Sequence, residues 1–323
     1  MTLSAFAGAT DTGRKRRRNE DAYVIAPPLF AVADGMGGAQ AGEIASKLAA
    51  TALEDTDSGS LSGRERVVSL IQEANTRVYE RSNADPSASG MGTTMTVALV
   101  EGREVTIGHV GDSRAYVARD GRLEQLTEDH SLVNELMKSG KLSPEEAETH
   151  PQRSVITRAL GTDPDVDIDA FTVEAQMGDV FLLCSDGLTT MVDDDDILGL
   201  LEKYRNDLDR VTKSLVAAAN RGGGEDNITV VAFTISDDAD TAQMQALDVD
   251  PPTTEQAIEP APAVDTMVIP AADVESALLE PGSPEAEAAT RRELPPAARA
   301  RLVLTMLLLL AIAAVLLVWG LLR

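Results

Sequence analysis

Along the first 236 positions the apolar residues follow two rhythms. Runs such as "LFAVAD" (29–34), "MTVALV" (95–100), "VFLLC" (180–184) and "NITVVAF" (227–233) are almost wholly apolar and too short for helices, so they read as buried strands. "AGEIASKLAATAL" (41–53) and the stretches 64–82 and 208–221 instead space apolar residues three and four apart, the pattern of amphipathic helices. Between residues 92 and 127 three or four strands are joined by "EGRE" (101–104) and "RDGR" (119–122), tight turns of the hairpin kind, and antiparallel pairing follows. Antiparallel strands mixed with helices predict an α+β layered domain rather than a βαβ repeat.

From Asp237 to about Ala298 this patterning stops. The stretch holds nine of the fifteen prolines and fourteen acidic residues against Arg291 and Arg292, which predicts an extended linker of disordered character. At about 5–6 Å × √n its reach is around 40 Å. From Leu302 to Leu322 come twenty-one residues without a charge, enough at 1.5 Å per residue to cross a hydrocarbon core of roughly 30 Å. Arg291, Arg292, Arg299 and Arg301 precede this expected transmembrane helix, and the positive-inside bias places the N-terminal domain in the cytoplasm. The expected organisation is a folded domain over 1–236, a linker over 237–298, and a basic flank with a single span over 299–323.

Charge narrows the chemistry. The formal net charge of −25 and sequence pI of about 4.4 repel polyanions, so nucleic acid is excluded as a partner, whereas divalent cations are natural guests. The single cysteine, Cys184, lies in an apolar run and fits a reducing compartment without structural disulfides. The N-terminus lacks a charged start followed by an apolar core, so no cleavable signal peptide is expected.

Acidic residues recur at strand junctions and beside glycines: Glu20 and Asp21 before "AYVIA", Asp34 after "FAVA", Asp112 in "HVGDSR", Asp186 in "LLCSDG", Asp226 in "GGGEDN". Any one of these fits an ordinary turn. As a set, several end buried strands where uncompensated carboxylates would repel, and a cation would relieve them. Carboxylates, a glycine-loop carbonyl and water suit Mg2+ or Mn2+, while three histidines and one cysteine in scattered contexts argue against zinc. Two such ions can activate water for in-line displacement at phosphorus, and an arginine fork matches phosphate oxygens.

Six motifs in order, "TDTGRKRRRNEDA", "ADGMGG", "GMGTTMT", "HVGDSRAY", "LLCSDGL" and "GGGEDNITVV", resemble the metal-dependent Ser/Thr protein phosphatases of type 2C (the PPM family) over about residues 5–235. With the C-terminal span, the resemblance is to a membrane-anchored bacterial branch. It implies an αββα sandwich of two antiparallel sheets flanked by helices, with a binuclear Mn2+/Mg2+ centre and a third, weakly bound ion. Asp34 would bridge the metals and the Gly35 carbonyl would bind the second. Asp186 and Asp226 would complete the first, Glu20 and Asp21 would lie on the second-metal side, and Asp112 would help to hold the third. Arg16 would bind the substrate phosphate, with Asn19 ordering its turn. The implied reaction is direct attack of a metal-bridging hydroxide on phosphoserine or phosphothreonine esters, without a phosphoenzyme. Partners would be phosphorylated proteins, Ser/Thr kinases and their substrates, and the lipid bilayer.

One position departs from part of the family: Met36 stands where some members carry a histidine, so the general acid is unassigned, with His130 as one candidate beside a metal-held water. His109 reads as structural. Ser113, Ser185 and Cys184 lack any apparent triad. "DDDD" at 193–196 reads as a helix cap, "GMGTT" as a tight strand entry, and Thr266 in "DTMVIP" as a candidate kinase target. A catalytically dead scaffold and an anti-anti-sigma-type phosphatase are the competing readings. Retention of Arg16, Asp34, Asp186 and Asp226 disfavours the scaffold; the intact "RxxNED" pattern disfavours the anti-anti-sigma type.

Overall fold

The structure, a computed structural model, describes residues 2–37, 41–56, 61–236 and 267–268. Three strands open the chain, β1 (Thr2–Asp11), β2 (Asp21–Ala26) and β3 (Leu29–Met36), followed by helices α1 (Ala41–Asp55) and α2 (Gly63–Ala84). A short strand β4 (Gly92–Thr93) leads into β5 (Met95–Glu101), β6 (Glu104–Val110), β7 (Arg114–Arg119) and β8 (Arg122–Gln125). Next come α3 (Leu132–Lys138), α4 (Pro144–Glu148), β9 (Val155–Ile156), β10 (Asp169–Glu174) and β11 (Val180–Cys184). The chain continues through α5 (Asp186–Thr189), α6 (Asp194–Lys203), α7 (Leu208–Gly222), β12 (Ile228–Ser236) and β13 (Met267–Val268).

Two antiparallel sheets result. One has the order β1-β12-β11-β7-β8, and the other β10-β6-β5-β3-β2 with β4 also paired to β3. The apolar runs are continuous because each inner strand buries both faces. In β3, Leu29, Ala31 and Ala33 join the core beneath α1 and α2, while Phe30 and Val32 enter the core between the sheets. In β12, Val231, Phe233 and Ile235 face the same inter-sheet core, and Ile228, Val230 and Ala232 pack under α6 and α7. Phe233 stacks on Phe30 and Phe181 at centroid distances of 4.5 and 5.1 Å, locking the sheets face to face. Helices, sheet, sheet and helices therefore succeed one another.

The acidic run at 193–196 caps α6: Asp193 accepts from the Asp196 N–H at 2.8 Å, and Asp194, Asp195 and Asp196 fill the first turn, where the helix dipole favours negative charge. Two strand boundaries differ from the sequence reading, and both matter for the site. Asp21 is the first residue of β2 rather than its predecessor, and β3 runs two residues beyond Asp34 because Gly35 and Met36 pair with β4.

Among the described residues no helix is long and apolar enough to cross a membrane. The expected span over 302–322 and its basic flank lie outside the described residues, as does the expected linker except for Met267–Val268. Those two residues form β13, parallel to Val155–Ile156.

Candidate functional site

Antiparallel register sets Asp21 of β2 opposite Asp34 of β3. Like charges so placed repel. Asp34 is fixed through its backbone: its N–H donates to Thr94 Oγ1 at 2.9 Å, and its carbonyl accepts from the Thr94 N–H at 2.9 Å and the Thr93 hydroxyl at 2.8 Å. Asp186 enters from the other sheet, at the point where β11 gives way to α5. Ser185 just before it donates to Asp21 Oδ2 at 2.8 Å, and Thr229 of β12 donates to the same oxygen at 2.6 Å. The carboxylates thus meet where one end of the first sheet abuts one end of the second.

Electrostatics confirm the crowding. Burial, reinforced by Asp226 and Asp186, pushes Asp21 up to about 7 against its two hydroxyl donors. Burial holds Asp34 well above the carboxylate range, with Asp21, Asp186, Asp226 and Asp112 adding to the effect. Asp186 rises to about 6 through burial and Asp226, although a hydrogen bond with Asp34 opposes the shift. Asp112 is raised by burial, then by Asp186 and Asp129. Five of the expected site aspartates therefore feel one another's charge.

Glu20 and Gly35 meet beside the N-terminus of α1. The Gly35 N–H donates to the Glu20 carbonyl at 3.1 Å, and Ser46 Oγ donates to the same carbonyl at 2.5 Å. A methyl group on Gly42 would lie 2.7 Å from the Gly35 oxygen and 3.0 Å from the Glu20 carboxyl carbon, so both groups border one small space that only glycine leaves open.

Arg16 is half-buried and donates through Nη2 to Asp226 Oδ2 at 2.7 Å. Burial works against its charge, but Asp226, Asp34 and Glu20 more than compensate, raising its pKa. Arg14, Lys15, Arg17 and Arg18 around it are exposed. Gly13, at φ +77°, turns the chain into this loop; a side chain there would collide with the Asp226 carbonyl.

A cation fits this set. Asp21 Oδ1 and Asp186 Oδ1 are buried without a hydrogen-bond partner, and buried carboxylate oxygens are costly unless paired or coordinating. Among the described residues no three His, Cys, Asp or Glu side chains already form a finished ligand cage. Several oxygens are turned instead to protein donors, Asp226 to Arg16 and Asp21 to Ser185 and Thr229. The all-oxygen donor set suits Mg2+ or Mn2+.

His130 is not placed for proton transfer in this cleft. It is buried, its Nδ1 accepts from the Gly111 N–H at 3.1 Å, and its Nε2 lies 3.2 Å from Asp169 Oδ2, so both ring nitrogens are committed. His109 is buried between Thr96 Oγ1 and the Glu128 carbonyl, as a structural histidine should be. Burial drives the Cys184 thiol up to about 12, which leaves it no thiolate character near neutrality.

The sequence reading missed a residue that holds the acid-bearing segments in place. Asn227 accepts the Glu20 N–H at 2.7 Å and donates to the Thr12 and Arg18 carbonyls, both at 2.9 Å, tying the "RxxNED" loop to the far end of the domain. Its place in "EDN" was the only signal. Asn19 does order its turn, accepting the Asp21 N–H at 3.1 Å.

Residues 14–221 match the family described as Protein phosphatase 2C. The chain is 41% identical over 233 residues to the serine/threonine phosphatase stp of Listeria monocytogenes, covering 69% of this chain and 92% of that protein. It is 40% identical over 237 residues to the serine/threonine protein phosphatase PstP of Mycobacterium tuberculosis, 72% of this chain and 45% of that one. The crystal structure of PstP/Ppp from M. tuberculosis superposes with a TM-score of 0.69 at 39% identity, covering 73% of this chain and 100% of that chain. A crystal structure of the PstP catalytic domain in complex with two manganese ions does so at 0.67 and 37% identity, covering 73% and 99%. Two packed antiparallel sheets with a carboxylate cluster at their shared end define a metal-dependent phosphohydrolase. The chain belongs to the protein phosphatase 2C family and is a serine/threonine protein phosphatase.

Proposed function

We propose that the chain hydrolyses phosphoserine and phosphothreonine esters by direct attack of water in the cleft around Asp34, and that it reverses Ser/Thr kinase signalling at a membrane surface. The observation that carries the site assignment is the pair of buried, unpartnered carboxylate oxygens on Asp21 and Asp186 beside Asp34. Asp34, the Gly35 carbonyl, Asp186 and Asp226, with Glu20 and Asp21, would hold two divalent cations, and Asp112 a third. The PstP complex with manganese supports this reading by similarity. Bound there, such ions would lower the pKa of a water and offset charge on the phosphoryl group.

The chain's own residues supply the rest. Arg16 brings a planar cation to the edge of the carboxylates, where it can orient phosphoryl oxygens and neutralise charge that grows in the transition state. Asn227, Asn19 and Thr94 fix the backbones of Glu20, Asp21 and Asp34, so the ligands need little reorganisation. Burial and the neighbouring carboxylates raise the pKa of Asp34 and Asp21, so a cation held there would compete with protons for the same oxygens.

The uncharged run at 302–322 supports a single-pass anchor with the domain on the cytoplasmic side. Flotation of the full chain with liposomes, lost when residues 299–323 are removed, tests the anchor; equal flotation of both sinks it. Phosphate release from a phosphothreonine peptide tests the activity: it should require Mn2+ or Mg2+ and stop with chelator. In the same assay Arg16→Ala should chiefly raise KM for a small phosphoester. Release that persists in chelator contradicts the metal assignment, and unchanged kinetics of the variant contradict the role given to Arg16.

A further inference from the structure

The pair β9–β13 lies outside both large sheets. Met267–Val268 aligns in parallel with Val155–Ile156, reached from the end of β12 across residues 237–266. The opposite side of β9 is already engaged: in the antiparallel bridge between Ser131 and Ile156, the Thr157 N–H donates to the His130 carbonyl at 2.8 Å. Bonds in this bridge run through flanking residues, so the Ile156 N–H and C=O point to the other edge. That edge is the one Met267–Val268 takes.

Its location ties it to the catalytic cleft. Ile156 packs with Met36 and Ala159, and Met36 follows Gly35 in β3. Leu160 exchanges backbone hydrogen bonds with Thr93 at 3.1 and 2.9 Å, and Thr93 pairs in turn with Gly35. β9 is therefore linked to the backbone that presents Asp34 and Gly35 through the Ile156–Met36 contact and the Leu160–Thr93 bridge. An unpaired strand edge is a template for an added strand, with main-chain hydrogen bonds providing affinity and little demand on sequence. Those are the properties a phosphatase acting on phosphorylated chains of varied sequence would use.

We propose that the β9 edge is a docking site for the extended chain flanking a substrate's phosphoresidue, and that this protein's own Met267–Val268 occupies it in cis until a substrate displaces it. The inference rests on the reading of the adjoining cleft as the phosphatase site. A two-residue pairing is weak, but tethering makes it intramolecular, at an effective concentration on the order of millimolar or below. It thereby sets a threshold that a substrate segment must exceed. The segment lies within "DTMVIP", the linker motif that the sequence singles out.

The test compares the full chain with a variant carrying Met267→Pro and Val268→Pro, since the first removes a ladder donor and both hold φ short of the parallel-strand value. Exchange of the Ile156 amide in Mn2+ without substrate should be roughly tenfold faster in the variant. KM for a phosphothreonine peptide should fall severalfold at unchanged kcat, while hydrolysis of a small aryl phosphate stays equal in the two proteins. Equal Ile156 exchange, or an unmoved peptide KM, overturns the proposal. Absence of aryl phosphate hydrolysis in both proteins would refute the phosphatase reading and with it the substrate half of the proposal, whereas the exchange comparison judges the cis pairing on its own.

Discussion

One carboxylate oxygen of Asp21 sits between the hydroxyls of Ser185 and Thr229 while the other has no partner, and that asymmetry condenses the chemistry of the site into a single residue. Asp34, Asp186 and Asp226 are legible in the sequence because acids beside buried strands are conspicuous. The confrontation of Asp21 with Asp34 is not, because it depends on a register that no local pattern specifies. His130 shows the converse: its neighbours in sequence suggested a proton donor, but Gly111 and Asp169, brought to it by the fold, use both nitrogens. His109 lends itself to a pH test. Burial, and then His130 with ring centroids 4.7 Å apart, lowers its pKa to about 3, although Asp169 acts in the other direction. A base whose folded pKa is depressed contributes stability fully above its unfolded pKa near 6.5 and loses it as pH falls toward the folded value. Between pH 7 and 5 the loss is about 2 kcal/mol. Urea unfolding at the two pH values should show this excess acid sensitivity in the wild type and not in His109→Gln; equal slopes would contradict the assignment.

At the scale of elements, the hairpins were legible from "EGRE" and "RDGR", and the main helices from their spacing. Sheet order was not, because β12, last of the long strands, inserts between β1 and β11 through contacts more than 200 residues apart in sequence for its β1 partner. Nor was β9–β13, since two residues carry no periodicity. The contact between α1 and the end of β3 is the element pairing on which the site most depends. Gly42 permits the helix to approach within reach of the Gly35 carbonyl and the Glu20 carboxyl. Gly42→Ala would push against both groups, so it should weaken Mn2+ activation roughly tenfold, the lower end of what outer-shell changes cost in metal affinity. A Mn2+ titration of phosphate release checks this, and an unchanged activation constant would show that Glu20 and Gly35 do not share a ligand space.

For the whole molecule, the net charge of −25 coexists with a basic lip of Arg14, Lys15, Arg17 and Arg18 around Arg16. Acidity disfavours polyanions at a distance, while the lip and the carboxylates behind it separate the two charges a phosphate ester and its cations need. The central claim is that Asp34 organises a two-cation centre. Equilibrium dialysis of the full chain against Mn2+ measures it directly. The wild type should retain two tightly bound ions per chain and Asp34→Asn should lose tight binding while unfolding at a similar temperature; retention of both ions by the variant would contradict the account.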